Sequence, residues 1–319
     1  MSRDIKIFTV GNVKYTPIGG FHKMDIPYLN ANGIYVTKSI KEADIIVAQN
    51  RTHLKKYFIK YPNSKKFMIW TNEPRFDTHH KEIKKELFGF VDCHIMNIYN
   101  QNVFTSTLPM NLKFFKNKIA TLPSDFQIEN RKTIGLMSYY KGLNTEKILI
   151  NGEDVDLIKK RTEIALYGHK NGFMDIYGKD WPNGISKEDS RDGDWVSRKK
   201  ILLDAYYFNL SFENTTSQNY ITEKIWDSIA NYCLPIYYGN NGIYELFPEN
   251  SFLDYHKIKS PDRLFDKIQS MSTKEYTERM NKCIETYQMF QEKNDTFFDD
   301  QRRIQLDAIT EKIHYIMNS

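Results

Sequence analysis

Cysteine is scarce in this chain: Cys93, Cys233 and Cys283 are the only three in 319 residues. They are odd in number and far apart, and no Cys-x-x-Cys spacing occurs. This excludes a disulfide framework and a thiolate zinc site, and it fits a reducing compartment. Long apolar runs are also missing. No stretch reaches the ~18 residues of a membrane helix, and the opening MSRDIKIFTVGNVKY has neither the apolar core nor the cleavage site of a secretory signal. The expectation is a soluble, cytoplasmic protein, compatible with peripheral contact to a membrane. Charge of one sign is lacking as well. With 45 Lys and Arg against 40 Asp and Glu, the net charge of +5 is too mild for a dedicated nucleic-acid binder. A small phosphate-bearing ligand needs only two or three cations.

What is present is enough apolar material to fill real cores: 40% hydrophobic residues, 14% of the chain aromatic. Single cores stop growing near ~250–300 residues, so two domains are expected. In the first part, short apolar runs (IKIFTV 5–10, GIYVT 33–37, ADIIVA 43–48, KFMIW 66–70, FVDCHIM 90–96) alternate with polar segments such as RTHLKKYFIKY. Continuous apolar runs of this length are the mark of parallel strands covered on both faces, which makes the fold class α/β.

A polar stretch over 111–132 lacks periodicity and reads as a linker. After it the alternation resumes: strands at 132–138, 173–178, 206–212 and 233–239, with helices near 155–170, 195–204 and 220–231. The expected domains are 1–125 and 126–319. The end of the chain reads as helical. Ser260-Pro261 is a helix start, Ser272 with Glu275 forms a capping box, and Ile304, Ile309, Ile313 and Ile316 give an apolar stripe.

The densest chemistry lies at 206–239, YYFNLSFENTTSQNYITEKIWDSIANYCLPIYYG. A helix starting near Tyr220, capped by Asn219, places Ile221, Ile225 and Ile229 on the sheet and Tyr220, Glu223, Lys224 and Asp227 on the opposite face. Its N-terminus and Lys224 would then face the carboxyl end of the preceding strand, an arrangement suited to a phosphate, with Glu223 able to accept from sugar hydroxyls. Spacing alone is equally consistent with solvated helix charges.

The wording of the segment goes further. FENTTSQNYITEKIWDSIANYCLPIYYG closely resembles the donor-binding signature of the α-1,3/4-fucosyltransferase family: Phe-Glu-Asn-Ser/Thr, a gap, Tyr-Val/Ile-Thr-Glu-Lys, a helix, then an apolar strand. The resemblance implies a GT-B fold, two Rossmann-like domains facing across a cleft with C-terminal helices. It makes 1–125 the acceptor domain and 126–319 the GDP-sugar domain. It implies transfer of fucose from GDP-fucose, with inversion, to a glycan or glycolipid hydroxyl, in an α-1,3 linkage. By the same resemblance Lys224 contacts the diphosphate, Glu223 the ribose or fucose and Tyr220 the nucleotide, while Asn214 shapes the pocket wall. The segment DLIKKRTEIALYGHKNGFMDIYG is similar to the family stretch that supplies an arginine, here Arg161, beside Lys159 and Lys160.

WTNEPRFD (70–77) resembles the family segment Asn-Glu-Ser-Pro that carries the proposed base, which is matched by Glu73 although the serine is absent. Two Asp-x-Asp pairs, Asp154/Asp156 and Asp192/Asp194, do not follow strong strands, and His79-His80 lacks a second ligand pair. No metal is therefore expected. A transferase for another nucleotide sugar, or a non-catalytic glycan- or nucleotide-binding module, is the alternative.

Overall fold

The computed structural model describes residues 3–100, 103–105, 115, 118–141, 147–189, 193–293 and 295–319. The chain divides into two compact units, Met1–Ser106 with Asp295–Ser319, and Thr107–Asn294. Each unit is built on its own sheet, mainly parallel in the first and all parallel in the second, as α/β alternation requires.

The first unit contains β1 (Ile5–Val10), α1 (Asp25–Ala31), β2 (Ile34–Val36), β3 (Ile45–Ala48), α2 (Arg51–Lys60), β4 (Lys66–Trp70), β5 (Ile83–Glu86) and β6 (Val91–Met96). Its six strands run in the order β2-β1-β3-β4-β6-β5. Every pair is parallel except β5 with β6. All four residues of β3 are buried, and so are Phe67–Trp70 of β4, which is why these strands read as unbroken apolar runs. Leu54 and Phe58, four apart on α2, seat that helix on the sheet.

The terminal helix, Asp295–Asn318, was expected with residues 126–319 but belongs to this first unit. The reason is local. Ile309, Ile313 and Ile316 are fully buried, and Arg302 donates Nε and Nη2 to the two oxygens of Asp25 at 2.8 Å each, both residues being buried. A pair so placed is strongly destabilising to break, because either partner alone is a buried uncompensated charge. Ile304, the first position of the expected stripe, is instead exposed.

The second unit contains β7 (Thr133–Leu136), β8 (Leu149–Ile150), β9 (Glu153–Asp154), α3 (Ile158–Lys170), β10 (Met174–Tyr177), α4 (Trp195–Leu203), β11 (Phe208–Leu210), α5 (Glu223–Ala230), β12 (Leu234–Tyr237), β13 (Leu253–Asp254), α6 (Tyr255–Ile258), α7 (Pro261–Ser270) and α8 (Thr273–Gln291). The sheet order is β10-β7-β11-β12-β13, all parallel, with β8 and β9 a separate antiparallel pair. The chain steps from β7 outward to β10, then returns to the other side of β7 as β11. At such a reversal the connections leave in opposite directions, opening a crevice at the carboxyl ends of the two central strands, where ligands of open α/β sheets bind.

The expected helix starts at Ser260 and Ser272 are found. Ser272 Oγ accepts from Glu275 N at 3.1 Å, but the Glu275 carboxylate turns to Lys267 and Arg279 instead of closing the box. Part of the expected linker, 111–114 and 116–117, lies outside the described residues. Among the described residues no helix is long and apolar enough to cross a membrane, and all three cysteines are buried and free.

Candidate donor site

Beyond β11 the chain stays hydrogen-bonded alongside β12: Ser211 N donates to Ile236 O at 3.0 Å and Glu213 N to Tyr238 O at 2.9 Å. Glu213 is thereby carried to the carboxyl end of the sheet, beside the reversal point. From there Asn214–Thr216 pair with the approach to α3. Leu157 N donates to Asn214 O at 3.1 Å and Thr216 N to Val155 O at 3.0 Å. This pairing fixes the start of α3 against the loop, and Arg161, in the first turn of that helix, donates Nη1 to Asn214 Oδ1 at 2.5 Å. Two motifs 53 residues apart in sequence therefore meet in one place. Lys159 and Lys160 are exposed, whereas Arg161 is partly buried.

The helix expected from Tyr220 begins later, at Glu223, with Thr222 as N-cap. Asn219 is not the cap. It sits in the left-handed region at φ 59°, a conformation that asparagine tolerates better than most residues. Tyr220 and Ile221 thus precede the helix, and both are buried. Tyr220, which was expected on the open face, is only 3% exposed.

What caps the helix is a carboxylate from the strand end. Glu213 is fully buried. Its Oε1 accepts from Thr222 N at 2.7 Å, and its Oε2 accepts from Thr222 Oγ1 at 2.7 Å and from Lys224 Nζ at 3.1 Å. Lys224 Nζ also donates to Thr222 Oγ1 at 2.7 Å. Lys224 is therefore not a cation aimed only outward. Two of its three N–H groups serve this internal anchor, leaving the third for a ligand. Sequence reasoning missed Glu213 as the organiser of the site. Its partners lie 9 and 11 residues ahead, across a loop with no periodicity, and only the Phe-Glu-Asn wording marked it.

The electrostatics are tightly coupled. Burial opposes the charge on Lys224, but Glu213 and then Glu223 outweigh it and hold the ammonium above the usual lysine range, with Arg161 close enough to push the other way. Burial pushes the Glu223 carboxyl up, yet Lys224 and Lys199 hold it below the usual range. Asp227, ion-paired with Lys199, is raised by burial in spite of that lysine. The buried Tyr237 phenol is driven well above its usual range, by burial first and then by Glu213. Gly239 leaves room for this pair: a Cβ there would lie 2.4 Å from the Tyr237 hydroxyl and 3.0 Å from Glu213 Cγ. The cluster is thus two cations, Lys224 and Arg161, held by a buried carboxylate and a half-buried amide at the reversal point, with Glu223 alongside. Its chemistry suits a polyanion carrying hydroxyl groups.

Glu73 belongs to the first unit. It is exposed, just past the carboxyl end of β4, and its N–H donates to Thr71 Oγ1 at 3.0 Å. The loop around it is braced from the turn that follows β6: Asn97 Nδ2 donates to Asp77 Oδ1 at 3.0 Å and to His79 O at 2.9 Å, and the Tyr99 hydroxyl donates to Pro74 O at 2.7 Å.

The aspartates of the Asp-x-Asp pairs have local duties. Asp156 Oδ1 accepts from Ile158 N at 3.2 Å, and Asp194 caps α4. Asp192 lies outside the described residues. Among the described residues no group of three or more His, Cys, Asp or Glu is placed to hold a metal ion.

Residues 157–314 match the family model for glycosyltransferase family 10 (fucosyltransferase), C-terminal part. The α-(1,3)-fucosyltransferase FucT of Helicobacter pylori is 38% identical over 78 residues, covering 24% of this chain and 16% of that protein. GDP-fucose protein O-fucosyltransferase 3 of Homo sapiens is 35% identical over 82 residues, again 24% of this chain and 16% of that protein. A crystal structure of an α1,3-fucosyltransferase aligns with 93% of this chain and 92% of its own at 16% identity, with a TM-score of 0.48. Residues 157–314, which hold Arg161, Asn214, Tyr220, Glu223 and Lys224, thus form a segment of the glycosyltransferase family 10 (fucosyltransferase) type.

Proposed function

We propose that this protein transfers fucose from GDP-fucose to a hydroxyl group of a glycan or glycolipid, inverting the anomeric carbon. The observation that carries the reading is the pairing of Arg161 with Asn214 and of Lys224 with Glu213 at the reversal point of the second sheet, inside the segment that matches the fucosyltransferase family. The diphosphate lies against Lys224 and Arg161, Glu223 accepts from a sugar or ribose hydroxyl, and Asn214 holds Arg161 in position. Tyr220 supports the nucleotide side of the pocket from beneath.

Glu73 takes the proton from the acceptor hydroxyl as its oxygen attacks the anomeric carbon and the bond to GDP breaks. General-base help of this kind contributes ~10²- to 10⁴-fold. Charge that develops on the departing diphosphate is met by the two cations, so the reaction needs no metal. In this reading residues 126–294 supply the donor site and the first unit the acceptor site.

Short stretches of the chain match an α-(1,3)-fucosyltransferase and a protein O-fucosyltransferase. Transfer of fucose is what those two names have in common, while the acceptors they name differ. The deciding experiment is a comparison of thermal shifts with GDP, UDP and ADP, followed by a donor screen that reads released nucleoside diphosphate. GDP is expected to stabilise most, by ~2.7 kcal/mol at about 100 times its Kd. Equal shifts with GDP and UDP overturn the guanine assignment.

A further inference from the structure

The turn joining β5 to β6 presents two phenylalanines to solvent, Phe88 at 105% and Phe90 at 80% relative exposure. Isolated apolar residues on a surface are ordinary, but two aromatic rings this open on a four-residue turn are not. The backbone is also held in an unfavourable form to present them. Leu87 and Phe88 have φ of 46° and 58°, the left-handed region that branched and bulky residues avoid, and Gly89 follows at 101°.

The turn is anchored rather than loose. Leu87 packs on the core that includes Leu54 and Phe58 of α2, and Arg51, the first residue of α2, clamps Glu86 through Nε and Nη2 at 2.5 Å each. Helix α2 therefore packs beside this hairpin in the same unit. Its outward face carries Lys55, Lys56 and Lys60 around Ile59, which is 70% exposed; these positions are three and four apart and so adjoin on a helix. The helix has four cationic residues and no acidic one. The acids of the hairpin are already neutralised, Glu86 by Arg51 and Asp92 by Lys85.

We infer that this surface of the first unit, the Phe88–Phe90 turn with the lysine face of α2, docks on an anionic lipid surface. Aromatic rings on a short turn can enter the headgroup region without unpairing a strand, and the lysines supply the complementary charge. Stable peripheral attachment requires two such signals together. The inference is independent of the donor site, which lies in the other unit.

The test is co-sedimentation of the full chain with vesicles of mixed phosphatidylserine and phosphatidylcholine, and with vesicles of phosphatidylcholine alone. Binding is expected to the mixed vesicles and to fall with added salt. Replacing both rings (Phe88→Ser with Phe90→Ser) is expected to lower partitioning at least ~10-fold. Lys55→Glu with Lys56→Glu, on an exposed helix face, is expected to lower it as much. Both variants should keep the wild-type circular dichroism and melting midpoint. Partitioning no greater onto mixed than onto phosphatidylcholine vesicles, or unchanged in the two variants, overturns the inference. So does a wild-type dimer that the phenylalanine variant converts to a monomer without any lipid binding.

Discussion

The Lys224 ammonium lies 3.1 Å from Oε2 of Glu213, a carboxylate with no exposed surface. Glu213→Ala removes the acceptor and leaves the ammonium partly buried without it, at a cost of about 3 kcal/mol or more. GDP affinity should fall in the same variant although the carboxylate is buried away from solvent, because Lys224 and Thr222 lose their anchor. Glu213→Gln keeps the shape and removes the charge. Burial then works against the Lys224 proton with less opposition, so GDP binding should fade at a lower alkaline pH than in the wild type. Calorimetric titration of GDP across the alkaline range measures this, and an unchanged pH limit in Glu213→Gln would remove Glu213 from the account.

Lys224→Ala and Glu73→Gln should fail in different ways. Loss of Lys224 removes a charge-assisted contact, and donor binding should weaken by ~1.5–3 kcal/mol with turnover following. The amide at position 73 removes only a proton acceptor in the other unit. Donor Kd should stay within a few fold while transfer drops by ~10² or more. Near-normal turnover in Glu73→Gln places the base on another residue. Glu213, buried and triply hydrogen-bonded, is not available for that task.

Transfer should survive excess chelator, since Lys224 and Arg161 supply the positive charge at the site. Loss of turnover in chelator with recovery on added manganese overturns this expectation and returns attention to Asp154, Asp156, Asp192 and Asp194.

His94, on β6, gives the first unit an acid limit. Burial first, and then Lys312, lowers its pKa from 6.5 to about 4, so the folded chain keeps it neutral while the unfolded chain protonates it. Below 6.5 the unfolded state binds the extra proton, and stability falls progressively until the pH reaches about 4. The full loss is about 3 kcal/mol. Urea denaturation at neutral pH and at pH ~5 should show the decline, and His94→Phe should flatten it. An equal decline in both proteins rejects the assignment.

The strands were legible because both faces of each sheet are covered, so burial is written as unbroken runs such as IIVA and KFMIW. β5 was not, because IKKE lies at the sheet edge and carries lysines that suit an edge and hide the strand. β13 pairs through only two residues and leaves no period to read. The start of α5 was misplaced for a different reason. Local chemistry favoured Asn219 as a cap, but the acceptor came from Glu213, which reaches the helix only because β11 pairs with β12 first. Arg161 and Asn214 could be named from the resemblance, yet their mutual bond depends on the pairing of 155–157 with 214–216, a long-range contact that carries no pattern. Ile304 heads the expected stripe but lies five residues before Ile309, out of helical phase, and the buried face there is carried by Arg302, Gln305 and Leu306.

Asp25 and Arg302 are separated by 277 positions. At a translation rate of ~5–20 residues per second, a ribosome makes the arginine roughly 14–55 s after the aspartate. Until then the first sheet has its central strands but not the helix that covers one side, and Asp25 has no guanidinium to meet. The second unit is continuous in sequence and can close while the first still waits. The unit that holds Asp25 is thus sealed after the unit that follows it in the sequence.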